Sequence, residues 1–536
     1  MAEVGLRIGR LVEVSGIIAT GRLEIGLEDY YQTYMGDEYS LVKIGAIVKI
    51  FSHRNLVFGA IRSVQNPSKD GKFEDATLEL ELFGEGALPT ADNDPLDFSR
   101  GVSSFPAPGE EIFLANLNDL SQIFGRPDKP HVRIGTVYQD RRLPAYIMTD
   151  GLLGRHFAVL GTTGSGKSCS VALLLHAILD AHPNGHIILL DPHNEYAGAF
   201  ADKAEVIDPT NLHLPYWMLN LDETIEVVLG HNNTSEAEIN ILKSVLLKAR
   251  KRAAEEMQDP NAITVDSPIP YRLWDLIGII NDEMGKLDRP ETALPYMRIK
   301  FRIESLRSDQ RFAFMFSGFL VEDTLADMIS RYMRIPVMGK PISVVDLSGV
   351  PNEITDVVVS VLCRMVFDFC LWSPRSESTP VLLVCEEAHR YVPRVAESKF
   401  TATKVAIGRI AKEGRKYGVS LGLVTQRPSE LSETILSQCN TLIALRMSNA
   451  EDQDYVRRAM PDNAVGLMSA LSSLQPQEAL VVGEGVSVPM RMRFDTLPQE
   501  RLPRSQTPSF ARTWAVDTGR MAYIEDVVTR WREQRR

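Results

Sequence analysis

The sequence predicts an α/β fold in which a parallel sheet follows a small all-β domain and is interrupted by a helical insertion. From about residue 150, short continuous apolar runs alternate with helical patterns, which is typical of parallel strands covered on both faces. Before about residue 140, β-branched runs broken by glycine predict short strands. Between residues 222 and 335 the alternation gives way to amphipathic helices.

The N-terminal region is predicted to form a small barrel or sandwich. Runs such as GRLVEVSGIIATGRLEIG and HVRIGTVYQ are rich in β-branched residues, and ATLELELFG alternates strictly between apolar and polar residues. Stretches rich in Gly, Pro and Asp at 84–109 and 125–130 predict loops. Short strands at this spacing are typical of small closed or layered β-structures.

The parallel sheet is predicted in two parts that flank the insertion. Within the insertion, Ser235 and Glu238 form a capping box that begins an amphipathic helix. The segments predicted as sheet strands are FAVLG, HIILLDPHNEY, PISVVDLSGV, PVLLVCEEAH, VSLGLVTQRPS and NTLIALRMS. The predicted domains are the β-domain 1–145, the first part of the core 146–221, the insertion 222–335, the second part of the core 336–500 and a C-terminal tail 501–536.

The composition is that of a soluble protein with several domains: 536 residues, 44% hydrophobic and 24% charged. No apolar run approaches the roughly 20 residues that span a bilayer, and the N-terminus MAEVGLRIGR lacks the apolar core of a secretion signal. The five cysteines include no C-x-x-C pair, which fits reduced thiols and argues against a zinc site. We therefore expect a cytoplasmic protein.

The segment GTTGSGKS, residues 161–168, fits the phosphate-binding pattern G-x-x-x-x-G-K-[ST]. Its glycines let backbone N–H groups converge on phosphate oxygens at the N-terminus of the following helix. Lys167 is predicted to reach the β- and γ-phosphates, and Ser168 to bind Mg²⁺. The predicted nucleotide contacts are Gly161, Thr162, Thr163, Gly164, Ser165, Gly166, Lys167, Ser168 and Cys169.

Two adjacent acids follow the apolar strand VLLVC, as in nucleotide hydrolases. Glu386 is predicted to hold Mg²⁺ through water, and Glu387 to polarise the attacking water. Gln426, at the end of the next strand, is predicted either to sense the γ-phosphate or only to cap a loop. Asp191 and Glu195 end another strand at the same predicted sheet edge, where ligands of open α/β sheets bind.

A local basic segment lies at 399–416 in a chain whose net charge is −12. The total charge argues against coating nucleic acid over the whole surface but permits a local basic channel. The segment is predicted to be a solvated helix face, a surface that follows DNA phosphates through Lys399 and Lys404, or a source of an arginine finger, Arg415. Arg155 precedes FAVL, a strand of about 13 Å, so it would reach a neighbouring subunit's nucleotide or form an ordinary ion pair.

The motifs RHFAVLGTTGSGKS, LLDPHNEY, VCEEAHRY and EGRKYGVSLGLVTQRPSEL together resemble the HerA family of the HerA/FtsK group of DNA-pumping ATPases. The resemblance covers most of the chain. It implies a RecA-like core, an N-terminal HAS-barrel and a homo-hexameric ring around double-stranded DNA, with ATP and Mg²⁺ as cofactors. It also implies Gln426 as the sensor, and Arg155 and Arg415 as arginines that contact nucleotide.

The resemblance further implies a partner protein. Similar HerA proteins work with the nuclease NurA in DNA-end resection, or with sirtuin-like or nuclease effectors in antiphage defence. Two alternatives remain open. A conjugation-type export ATPase is weakened by the lack of membrane segments and by the N-terminal barrel. A ring-shaped scaffold that activates an effector, with nucleotide as a structural switch, is not separable from a translocase by sequence.

Overall fold

The computed structural model divides into two compact units, and each is described by itself. The first unit comprises 1–183, 387–395 and 411–497, and the second comprises 184–386, 396–410 and 498–536. The structure describes residues 5–24, 31–34, 37–40, 42–53, 55–65, 76–87, 97–230, 235–254, 262–287, 290–316, 321–350, 352–395, 401–460, 468, 470–504, 510–515 and 520–533.

The first unit begins with a closed β-barrel. Its strands run in the order β2-β1-β9-β5-β6-β7, and an antiparallel pairing of β7 with β2 closes it. The interior is filled by alternating apolar residues such as Ile8, Val48 and Leu80. The predicted small barrel is therefore confirmed. The strands of this region are β1 Arg7–Ser15, β2 Ile18–Leu23, β3 Tyr31–Tyr34, β4 Asp37–Ser40, β5 Ile47–Ser52, β6 Asn55–Gln65, β7 Thr77–Ala87, β8 Phe98–Arg100 and β9 Glu111–Leu114.

Closure of the barrel depends on a glycine in β1. The pairing of β1 with β9 shifts register between Arg7 and Gly9, so the strand bends there. A Cβ on Gly9 would lie 2.0 Å from the carbonyl oxygen of Arg22 on β2. Only glycine permits this approach of the two backbones.

A second sheet of the first unit has the strand order β11-β10-β20-β19-β18-β12-β17. Strand β12 is parallel to both of its neighbours, β17 and β18, and all five of its residues are buried. The run HVRIGTVYQ, assigned by sequence to the barrel, is β10 of this sheet, because it pairs with β20. The strands are β10 His131–Val137, β11 Pro144–Met148, β12 His156–Leu160, β17 Val419–Thr425, β18 Cys439–Leu445, β19 Glu478–Gly483 and β20 Met490–Phe494.

The second unit contains four parallel strands in the order β16-β13-β15-β14. Every residue of β13, β15 and β16 is buried, as the continuous apolar runs predict for strands covered on both faces. Together with the helices, these strands confirm the predicted α/β class. The strands are β13 Ile187–Asp191, β14 Ala204–Ile207, β15 Ile342–Asp346 and β16 Val381–Cys385.

Helices connect the strands and fill the predicted insertion. No helix in the described part of the chain is long and apolar enough to cross a membrane. The helices are α1 Leu117–Ile123, α2 Thr149–Leu153, α3 Lys167–Ala181, α4 Leu221–Val228, α5 Glu236–Ala253, α6 Leu273–Gly285, α7 Pro290–Ser308, α8 Ala313–Phe316, α9 Leu325–Met333, α10 Asn352–Trp372, α11 Thr401–Glu413, α12 Glu433–Leu436, α13 Ala450–Ala459, α14 Phe510–Trp514 and α15 Met521–Glu533.

The capping box predicted at Ser235 and Glu238 is confirmed at the start of α5, where each side chain accepts a hydrogen bond from the other residue's backbone N–H. The same helix buries Leu242, Val245 and Leu246 on one face, as the predicted amphipathic helix requires. The boundaries of the five predicted domains, including the insertion, stay predictions.

A buried arginine ties α5 to the segment before α4. Arg250 is fully buried, and its guanidinium donates to the backbone carbonyls of Trp217, Leu219 and Val265. Burial lowers the pKa of Arg250, because the charged form is desolvated. The three hydrogen bonds of the guanidinium group offset this desolvation, and they give the three backbone carbonyls a donor that they would otherwise lack.

We expect Arg250→Met to destabilise the protein by roughly 3 kcal/mol, because two buried carbonyls and one partly buried carbonyl lose their donor. Differential scanning fluorimetry should show a melting temperature several degrees below wild type. Lys251→Met, at the exposed neighbouring position of the same helix, is the matched control and should melt close to wild type. Equal melting of the two variants would contradict a stabilising role for Arg250.

Candidate nucleotide-binding site

The loop 161–166 joins β12 to α3 in the conformation that a phosphate-binding loop requires. Gly164 and Gly166 have φ angles of 76° and 96°, in the left-handed region that favours glycine. Gly166 is the N-cap of α3, and no side chain caps the first N–H groups of this helix. This helix start can therefore donate several N–H groups to a phosphate.

The loop is anchored by the strands on either side of β12. The backbone N–H and the hydroxyl of Thr162 both donate to the carbonyl of Arg446, at 3.1 and 3.0 Å. The N–H of Gly161 donates to the carbonyl of Thr425 at 3.3 Å. A Cβ on Gly161 would lie 2.8 Å from Ser165 Oγ, a buried hydroxyl with no hydrogen-bond partner among the described residues. The phosphate-binding loop therefore requires glycine at position 161, and it encloses the hydroxyl group of Ser165.

Lys167, the first residue of α3, meets the predicted water-activating carboxylate. Its Nζ lies 3.7 Å from Glu387 Oε1, and both side chains are about 8% exposed. The Lys167 ammonium group and the Glu387 carboxylate therefore lie next to each other in a buried position at the carboxyl edge of the sheet.

Glu387 is held by its backbone as well as by Lys167. Its φ of 52° places it in the left-handed region, which a non-glycine residue rarely adopts without a local reason. Its Oε2 lies 3.2 Å from Nδ1 of His389, and the same nitrogen lies 2.9 Å from Thr425 Oγ1. Burial lowers the pKa of His389, so the imidazole is neutral near pH 7.

Gln426 directly follows β17 and reaches the phosphate loop. The hydroxyl of Thr163 donates to Gln426 Oε1. Of the two readings of Gln426, the contact favours a residue placed beside the phosphates over one that only caps its own loop. Its role as a sensor stays a prediction.

Acids at the strand ends of the second unit are buried and hydrogen bonded. Glu386 is 3% exposed, and the Tyr196 hydroxyl donates to its Oε1 at 3.0 Å. Asp191, at the end of β13, accepts from the backbone N–H groups of His193 and Tyr196 at 3.1 and 2.9 Å. Burial raises the pKa of Asp191 to about 6, and the nearby Asp346 contributes to the increase.

The donors predicted for Mg²⁺ are a hydroxyl, Ser168, and a carboxylate, Glu386. Among the described residues, no group of three or more His, Cys, Asp or Glu side chains could hold a metal ion. Mg²⁺ in nucleotide sites is usually held by one or two protein oxygens, with phosphates and waters completing its shell. A hydroxyl and a carboxylate are oxygen donors of that kind, and the binding of Mg²⁺ by Ser168 and Glu386 stays a prediction. Cys169, the next residue on α3, is partly buried with its thiol reduced.

The two predicted arginines lie at the opposite edge of the sheet from the phosphate loop. Arg155 immediately precedes β12, and its carbonyl accepts from Ser420 at the start of β17. Its guanidinium contacts Glu484 Oε2 at 2.8 Å, which is the ion pair considered from sequence. Arg415 also precedes β17 and is exposed. Strand β17 spans about 23 Å, so Arg415 contacts another subunit's nucleotide or none.

The basic segment is less uniform in structure than in sequence. Lys399 lies outside the described residues, and Lys404 is half-buried on α11. Arg409, on the same helix, lies 3.6 Å from Asp368 Oδ1 and 4.3 Å from the Phe367 ring centroid. The segment is therefore not one continuous free basic stripe, and binding of DNA by Lys399 and Lys404 stays a prediction.

Three contacts of the site were not predicted from the sequence. They are the contact of His389 with Glu387, the hydrogen bond from Tyr196 to Glu386, and the anchoring of Thr162 by the carbonyl of Arg446. His389 could have been found from its place two residues after the acid pair. The other two depend on strand order, which the local sequence does not contain.

Comparison with known proteins identifies HerA helicases as similar to this chain. The family model of the HerA helicase central domain matches residues 132–366. The DNA double-strand break repair helicase HerA of Pyrococcus furiosus is 28% identical over 499 residues, which cover 82% of this chain and 85% of that protein. HerA of Sulfolobus acidocaldarius is also 28% identical, over 73% of this chain and 74% of its own.

A solved structure of similar fold is VirB4 of Thermoanaerobacter pseudethanolicus. The TM-score is 0.50 at 15% identity, and the match covers 70% of this chain and 98% of VirB4. At this identity the likeness concerns the fold alone. The HerA central-domain match, the similarity to a HerA helicase over 82% of this chain and the phosphate loop with its paired acid together show that the chain resembles the HerA helicases and is a P-loop ATPase.

Proposed function

We propose that the chain is an ATP-dependent translocase or helicase that acts on double-stranded DNA. The observation that carries the proposal is the meeting of Lys167 Nζ and Glu387 Oε1 at 3.7 Å beside the phosphate loop. Relatives named as DNA double-strand break repair helicases support DNA as the substrate that hydrolysis moves.

Hydrolysis follows from the residues around that meeting point. The N–H groups of the loop and the start of α3 bind the ATP phosphates, and Lys167 holds the β- and γ-oxygens. Glu387 orients and polarises the attacking water, while His389 and the strained backbone keep its carboxylate in place. Gln426 and Thr163 contact the γ-phosphate side of the site. Ser168 and Glu386 would hold Mg²⁺, which neutralises the charge that develops on the phosphate oxygens.

The assembly is part of the proposal. Arg415 lies too far from the phosphate loop of its own chain, which supports a ring in which each arginine completes the neighbour's site. We propose a homo-hexamer around duplex DNA. The names of the relatives favour a DNA-repair role. For that role we propose a NurA-like nuclease as partner, and a sirtuin-like or nuclease effector of antiphage defence is the alternative.

We expect linear duplex DNA to increase the ATPase rate of the wild-type chain severalfold, because a translocase couples ATP hydrolysis to its movement along DNA. A phosphate-release assay with and without DNA measures this. Lys167→Ala is the control and should show no hydrolysis in either condition, since no other side chain supplies the charge on the γ-phosphate. A wild-type rate that DNA leaves unchanged would indicate a nucleotide-switched scaffold instead.

We expect Glu387→Gln to retain ATP binding and to lower turnover at least tenfold, or roughly 1.4 kcal/mol of barrier. The amide keeps the shape of the side chain but loses the charge that polarises water. Equilibrium binding of a fluorescent ATP analogue and steady-state hydrolysis together test this. A smaller loss of turnover would assign the base to another group.

Mixing of two inactive variants tests the role of Arg415 across subunits. Lys167→Ala and Arg415→Ala subunits should each be inactive alone. A mixed assembly should regain activity, because an intact phosphate loop can then face an intact arginine. Lys416→Ala, at an exposed neighbouring residue, is the matched control and should be active by itself. Mixtures that stay inactive would contradict action in trans.

A further inference from the structure

The first unit contains a polar cavity that is lined by none of the phosphate-loop residues. Its volume is about 180 Å³, and its wall is formed where the barrel residue Lys43 meets the ends of β10 and β20. The charged residues that line it are Lys43, Arg141, Arg493 and Glu478. Three of these four are cations, in a chain whose net charge is −12.

The acids near this cavity are already engaged by other arginines. Glu478 Oε2 lies 2.6 Å from a guanidinium nitrogen of Arg491, and Asp140 Oδ2 lies 2.5 Å from one of Arg142. On the adjoining wall, Arg62 contacts Glu79, and Glu81 is buried beside it. Across the described residues, by contrast, Lys43, Arg141 and Arg493 form no ion pair.

The aromatic ring of Tyr138, which lines the cavity, contacts two cationic side chains. The Arg491 guanidinium stacks 3.7 Å from the ring centroid of Tyr138, and Lys43 Nζ lies 5.4 Å from the same centroid. Burial lowers the pKa of Lys43, and the positive charge of Arg491 lowers it further, while the negative charge of Asp140 partly offsets both effects. The fold therefore holds like charges together in a half-buried place, an arrangement that a bound anion would stabilise.

We propose that this cavity is a phosphate-binding site, in which Arg141, Arg493 and Lys43 bind one phosphate group. Arginine guanidinium groups match the oxygens of phosphate in geometry, and the lysine adds a point charge. The phosphate belongs either to the backbone of duplex DNA, a source that rests on the proposed function, or to a free polyphosphate. The two sources share the chemistry and differ in the tests that follow.

The DNA source is tested by fluorescence anisotropy with a labelled 30-base-pair duplex between about 50 and 200 mM salt. We expect Arg141→Ala and Arg493→Ala each to weaken binding roughly tenfold. Each should also flatten the slope of log K against log salt by about 1. Arg133→Ala is the matched control, because it removes the same charge from β10 at an exposed ion pair with Asp495. It should leave affinity and slope close to wild type.

The free-polyphosphate source is tested by calorimetry with inorganic pyrophosphate. The Lys167→Ala background weakens the phosphate loop, so the remaining heat reports on the cavity. Adding Arg141→Ala and Arg493→Ala should abolish this binding if the site takes free polyphosphate. Because Arg141 is exposed, its variant should fold, and melting temperatures check this.

The outcomes separate the two proposals. Loss of duplex affinity in the cavity variants alone supports a DNA-backbone site, and loss of pyrophosphate binding alone supports a free-polyphosphate site. If wild type binds no duplex, the proposed DNA function fails while the pyrophosphate measurement still tests the cavity. Unchanged duplex and pyrophosphate binding in the double variant would overturn the phosphate site.

Discussion

The placement of β12 between two parallel neighbours is the constraint on which the rest of the site depends. Because β17 and β18 run in the same direction as β12, their carboxyl ends meet at one edge, and so do the loops that follow them. The phosphate loop takes its anchoring hydrogen bonds from residues at the ends of both neighbours, Thr425 and Arg446. The same strand direction places Arg155 and Arg415, which precede β12 and β17, at the opposite edge of the sheet. They therefore lie apart from the phosphate loop and from Gln426, although they are close to them in the sequence.

Thr425 shows how closely that edge is connected. Its carbonyl accepts from Gly161 in the phosphate loop, while its hydroxyl contacts His389 and accepts from the N–H of Arg427. One residue thus fixes the loop that holds phosphate, the histidine beside Glu387 and the chain that follows Gln426. A change in the position of any one of these segments should therefore shift the other two, because all three contact Thr425.

Much of this arrangement could be predicted from sequence, for a physical reason. Glycine spacing, the Lys167–Ser168 pair and acids at a strand end are local patterns with one main structural solution, and the barrel follows from short β-branched runs. Whether a charged side chain is already paired depends on its tertiary contacts, which a local sequence pattern does not contain. Arg409 belongs to a basic segment in sequence, but Asp368 and the Phe367 ring, both on α10, occupy it. That Lys43 and Arg493, 450 positions apart, line one cavity likewise depends on the tertiary fold.

The same reasoning joins the two phosphate sites. A Cβ on Gly166, the N-cap of α3, would lie 3.6 Å from the backbone nitrogen of Gln477, whose carbonyl accepts from Phe494 at the end of β20. The next residue, Glu478, binds Arg491 and pairs in register with Arg493. The phosphate loop and the basic cavity therefore adjoin the same end of one antiparallel strand pair, at the adjacent residues Gln477 and Glu478. If duplex DNA supplies the phosphate in that cavity, DNA contact and nucleotide contact both act on this end of the strand pair, which would link hydrolysis mechanically to movement.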